Sequence, residues 1–115
     1  MLTLPPAVRI FLCLAPVDMR RSFDGLAAMA EQVVRGDPLS GHLFVFRGRR
    51  GDRVKILHWD RDGYALWYKR LESGVFRFPA EPGGSAEISA ADLGLILGGI
   101  DPGSVKRRKR FSLAP

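Results

Sequence analysis

Apolar positions along the chain fall into short runs separated by Pro, Gly and Asp clusters. Val8–Leu14 is a β-prone run bounded by Pro6 and Pro16 and predicts a strand. Asp18 is placed to cap a helix from about Met19 to Val34. Phe23, Leu26, Ala27, Ala30, Val33 and Val34 fall on one face of that helix at i, i+3, i+4 spacing. Gly36 and the Asp37-Pro38 pair end it. Three β-like runs follow: His42–Arg47, Arg53–Trp59 and Tyr64–Leu71. Gly48–Asp52 and Asp60–Gly63 separate them, and both are rich in turn formers. Val75–Phe78 reads as a fourth short run, Pro79–Ser85 as a loop, and Ala86–Ile88 as a last strand. Ser89 with Asp92 three residues later opens a short helix with Leu93, Ile96 and Leu97 on one face, ended by Gly98-Gly99. The expected fold is α+β: a small antiparallel sheet of about five short strands, with one long helix and one short C-terminal helix packed on it.

The central meander can be registered from side-chain alternation. A turn at 60–63 pairs Trp59 with Tyr64, Leu57 with Leu66, Lys55 with Tyr68 and Arg53 with Arg70. A loop at 48–52 that pairs Arg47 with Arg53 sets Phe46 opposite Val54 and Phe44 opposite Ile56. Phe44, Phe46, Val54, Ile56, Ala65 and Trp67 then share a core face. The outer face carries Arg47, Arg53, Lys55, Tyr68 and Arg70 at one end, and Leu43, Leu57, Trp59, Tyr64 and Leu66 at the other.

Composition narrows the class. The 115 residues suit one domain with a modest core, and 46% hydrophobic with 26% charged residues is an ordinary globular balance. No apolar run reaches the ~20 residues a membrane span needs, and no basic region precedes Val8–Val17, so neither a membrane segment nor a signal peptide is expected. Cys13 is the single cysteine, which excludes an internal disulfide and a Cys-based zinc site and fits the cytoplasm. The net charge is +6, and it is unevenly spread. Residues 1–46 are neutral overall, 47–77 carry +5, 78–105 carry −4 and 106–115 carry +5. This divides the chain into a folded unit at 1–101 and a basic tail at 102–115, which self-repulsion should keep disordered when free.

Charge also nominates the chemistry. Arg47, Arg49, Arg50, Arg53, Lys55, Lys69 and Arg70 gather at one end of the sheet and its loop, a pattern that neutralises phosphates. Tyr68 lies among them as a stacking platform. Lys106, Arg107, Arg108, Lys109 and Arg110 form a second nucleic-acid-binding candidate in the tail. A solvated, aggregation-resistant edge is the plainer reading of the first cluster. Like charges set opposite each other cost stability, which favours an anionic partner. Asp18, Asp24, Asp60 and Asp62 read as cap and turn residues rather than a metal centre. His42 and His58 lack the carboxylate or thiol neighbours of a ligand set. No P-loop, nucleophile elbow or Ser/His/Asp arrangement is present, so neither a catalytic site nor a cofactor is expected.

Longer stretches carry a family resemblance. Asp18–Leu26 (DMRRSFDGL) and Asp37–Pro79, within it FVFRGRRGDRVKIL, HWDRDGYALWYKRLESG and FRFP, together with Leu97–Asp101, resemble TnpB, the Orf2-like accessory protein of the IS66 insertion sequences. The resemblance spans about residues 8–101. It implies a non-catalytic, bacterial mobile-element protein that assists transposition, encoded between a small TnpA and the large transposase TnpC, to which the chemistry belongs. Gly48 stands where the family commonly has Asn and should loosen the basic loop, and Phe78 stands where Trp is common. Together these readings give an accessory factor that binds DNA, at the ends of the element, through the basic sheet end. TnpC is its expected protein partner, with TnpA as the second candidate. The other reading is an adaptor that docks on the transposase through Trp59, Tyr64 and Leu66.

Overall fold

A computed structural model describes residues 7–99. Five strands form one sheet: β1 (Ile10–Cys13), β2 (Leu43–Arg47), β3 (Arg53–Asp60), β4 (Gly63–Arg70) and β5 (Ser85–Ile88), in spatial order β4-β3-β2-β1-β5. The sheet is mixed, not purely antiparallel. β1 and β2 run parallel, whereas β2/β3, β3/β4 and β1/β5 are antiparallel. The exception follows from connectivity, since parallel neighbours require a crossover and the intervening helix supplies it. Val75–Phe78 is not a strand; its Phe76 N–H donates to Gly51 O and the Phe76 ring is buried in the core.

The crossover helix is shorter than its periodicity predicts. α1 spans Phe23–Met29 and continues as a π-helical turn through Ala30–Val34. It does not begin at Met19; there the carbonyls of Met19 and Arg21 turn to the Lys55 ammonium, both at 2.7 Å. In an α-helix those oxygens would accept from residues four positions on. Nor does Asp18 cap it: its carboxylate accepts from the Arg20 backbone and guanidinium instead, and Ser22 takes the N-cap position. The helix ends on Arg35 in the left-handed region (φ 58°). Gly36 is needed for a different reason. A Cβ there would lie 2.6 Å from Phe44 Cε1, so only a glycine lets the helix end settle on the sheet. At the other terminus, α2 (Ala90–Leu97) is capped as expected, with Ser89 Oγ accepting from Asp92 N–H at 3.1 Å.

The sheet has two cores, one on each face. Ile10, Leu12, Leu43, Val45, Val54 and Ile56 pack with Leu93 and Ile96 of α2 and with Phe76. Cys13, Phe44, Phe46 and Leu57 pack with Leu26 of α1, Ala30 and Val17. The β3–β4 register is the expected one, with Trp59 opposite Tyr64 and Arg53 opposite Arg70. The β2–β3 register is shifted by one residue. Arg47 pairs with Val54, Phe46 with Lys55 and Phe44 with Leu57, not with Arg53, Val54 and Ile56. The loop closes earlier than expected, through Gly48 N–H to Arg53 O at 3.1 Å, and leaves Arg49–Asp52 at its tip with Gly51 at φ +78°. Phe44 and Phe46 therefore share a face with Lys55 and Leu57, and that face is buried under α1 rather than open to solvent.

A candidate nucleic-acid interface

Two segments approach each other at one end of the sheet: the β1–α1 connection and the β2–β3 loop. Val17 N–H donates to Arg47 O at 2.9 Å, and Val17 bridges Gly48. A Cβ on Gly48 would meet Met19 Cγ at 2.7 Å. Gly48, expected to loosen the loop, leaves room here for the Met19 side chain of the facing segment. Between the two segments lies a depression of about 480 Å³ lined by Asp18, Arg20, Arg49, Arg50, Asp52 and Arg53 together with Val17, Met19 and Gly48. A second depression of about 430 Å³ is lined by Arg53, Tyr68, Arg70 and Glu72, so Arg53 is common to both.

The expected basic residues are divided among different tasks. Arg49 and Arg50 are exposed at the loop tip. Arg53 donates from Nη1 to the Tyr68 hydroxyl at 3.1 Å, and Tyr68 is 47% exposed. Arg70 is exposed opposite Arg53 on the neighbouring strand. Lys69 is exposed too, but strand alternation turns it to the other face of β4. Arg47 is drawn inward, its guanidinium donating to Leu14 O and lying 5.3 Å from the centre of the Phe78 ring. Lys55, expected on an open outer face, is only 6% exposed. Besides its two carbonyls, its ammonium sits 4.7 Å from the centre of the Tyr68 ring. It anchors the wall of the first depression instead of lining it. Lys106–Arg110 lie outside the described residues.

Sequence reasoning missed Arg20, Asp18, Asp52 and Glu72 as groove residues. Arg20 and Asp18 form an exposed ion pair, and the Arg20 hydrogen bonds hold the Asp18 carboxyl well below the usual carboxylate range. The adjacent Arg20-Arg21 pair was the available signal; what hid it was the expectation that both lay within a helix. The apolar adaptor patch is largely spent internally. Tyr64 and Leu66 pack against the α1-side core, and Trp59 stacks edge-on against Tyr64 at 5.1 Å. Among the described residues, no group of three or more His, Cys, Asp or Glu is placed to hold a metal ion, and no helix is long and apolar enough to cross a membrane.

Comparison with known proteins decides the family. Residues 8–107 match the family described as IS66 Orf2 like protein. The chain belongs to the IS66 Orf2-like family. The chain is also similar to two proteins from Sinorhizobium fredii. The chain is 40% identical to uncharacterized protein y4jC over 101 residues, covering 88% of this chain and 86% of the relative. It is 43% identical to uncharacterized protein y4hO over 94 residues, covering 82% of each. No solved structure matches. As an IS66 Orf2-like protein, the chain is an insertion-sequence-associated accessory protein. The stretches 18–26 and 37–79 that carry the resemblance also contain every residue lining the two depressions apart from Val17.

Proposed function

We propose that this IS66 Orf2-like protein binds DNA during transposition, through the two adjoining depressions at the basic end of its sheet. The observation that carries this reading is the convergence of Arg49, Arg50, Arg53 and Arg70. None of them makes an ion pair among the described residues. Arg53 and Arg70 face each other directly, an arrangement that costs stability unless an anion lies between them. Guanidinium forks suit phosphate oxygens, and the half-exposed Tyr68 ring offers a stacking surface beside them. Asp18, Asp52 and Glu72 temper the charge and leave the arginines in the majority. The ends of the mobile element are the DNA target in this reading. In this reading the transposase TnpC carries the chemistry, and TnpA is the second candidate partner.

Binding of terminal-repeat and random duplexes across a salt series tests it. Affinity should fall steeply with log salt. The Arg49→Ala/Arg50→Ala variant should weaken all sequences about equally and flatten the slope by ~1–2 units. A salt-independent affinity, or none for the unmodified protein, removes the phosphate reading and leaves the adaptor role.

A further inference from the structure

We propose that β4 is a self-association edge through which two copies of this chain join their sheets antiparallel about a two-fold axis. The inference does not rest on the DNA reading, with which it shares Tyr68 and Arg70. β4 is the terminal strand of the sheet, and among the described residues no strand pairs its outer side. It is eight residues long and pairs with β3 along its whole length without a bulge. The devices that blunt an edge are proline, a bulge, extreme shortness or a central charge. The first five residues of β4, Gly63-Tyr64-Ala65-Leu66-Trp67, carry none of them. The opposite edge, β5, is four residues long and carries the charged Glu87.

The backbone selects the register. Leu71 N–H donates to Asp52 O, which lies on the β3 side. Amides alternate sides along a strand, so Tyr64, Leu66, Tyr68 and Arg70 turn their N–H groups outward. Antiparallel pairing of two such edges brings residues of like parity opposite each other. Centring the axis on Leu66 sets Leu66 against its own copy, Tyr64 against Tyr68 of the second copy, and the large Trp67 against the small Ala65. Beyond the paired strands it brings Arg70 beside the 61–62 turn of the second copy, which carries Asp62. The chain is acidic on balance where it enters β4, with Asp60 and Asp62 around Arg61, and basic on balance where it leaves, with Lys69 and Arg70 before Glu72, so a two-fold axis brings opposite charges together. Arg70, opposed by Arg53 within its own chain, gains a carboxylate partner across the axis.

Sedimentation of the full chain over a wide concentration range tests the inference, with folding of each variant checked by far-ultraviolet circular dichroism. The 12.7 kDa chain should reach twice that mass in a concentration-dependent way. Asp62→Arg and Arg70→Asp, each placing like charges across the axis, should raise the dimer dissociation constant by about tenfold or more. The double variant Asp62→Arg/Arg70→Asp restores the pairing with the charges exchanged and should recover the dimer. A monomer at every concentration, unchanged association in both single variants, or a double variant no tighter than the singles would each overturn the proposal.

Discussion

Lys55 shows how one side chain sets both local structure and site geometry. A buried ammonium must be hydrogen-bonded, and here two main-chain carbonyls and an aromatic face take it. The same bonds hold Met19 and Arg21 outside α1, which starts at Phe23, and Asp18, Met19 and Arg20 line the first depression. Lys55→Met keeps most of the stem but strands both carbonyls. It should cost about 1–3 kcal/mol in urea denaturation. Arg49→Ala, at the exposed loop tip, should stay within about 0.5 kcal/mol of the unmodified protein. A Lys55→Met protein of full stability that has lost DNA binding would make Lys55 a ligand contact and not an anchor.

At the scale of elements, what alternation can specify was legible and what it cannot was not. The 60–63 turn is tight, and the β3–β4 register followed from it residue by residue. The β2 run Leu43-Phe44-Val45-Phe46 is apolar at every position, so no alternation marks its inner face, and either register of the 48–52 loop was compatible with the sequence. The structure explains the continuous run: β2 is buried under α1 on one side and α2 on the other. That one-residue slip misplaced the open face, and with it Lys55. The arginines of the loop and of β4 were legible because charge clustering survives an error of register. The groove itself was not, because its second wall comes from a segment expected to be helical. Two-sided burial makes both neighbours intolerant of truncation. Phe46→Ala should cost about 3–5 kcal/mol and Val45→Ala about 2 kcal/mol, although their side chains point to opposite faces. If denaturation shows either variant within about 0.5 kcal/mol of the unmodified protein, one of the two helical layers does not cover β2.

For the molecule as a whole, the two layers share their central strands, since β1 and β2 each contribute side chains to both cores. Neither layer can be lost without exposing the strands that support the other, so unfolding should be a single cooperative step. Cys13 is positioned to report it. It is fully buried on the α1 side of β1, and burial pushes its thiol pKa up, so the native thiol is both inaccessible and protonated. The folded protein therefore holds this proton more tightly than the unfolded chain. The corresponding stability is present below the ordinary thiol pKa of about 8.5 and declines as pH rises through it. At neutral pH a thiol reagent should reach Cys13 only through global opening. For a stability of about 5 kcal/mol, that slows labelling several-thousandfold relative to the unfolded chain. The slowing should match the unfolding constant obtained from tryptophan fluorescence of a Trp59→Phe variant, because the remaining Trp67 packs against the α2-side core and so reads the other layer. Agreement between the two probes across a denaturant series establishes one cooperative unit. Rapid labelling that does not respond to denaturant would show instead that β1 opens locally while the α2 layer stays folded.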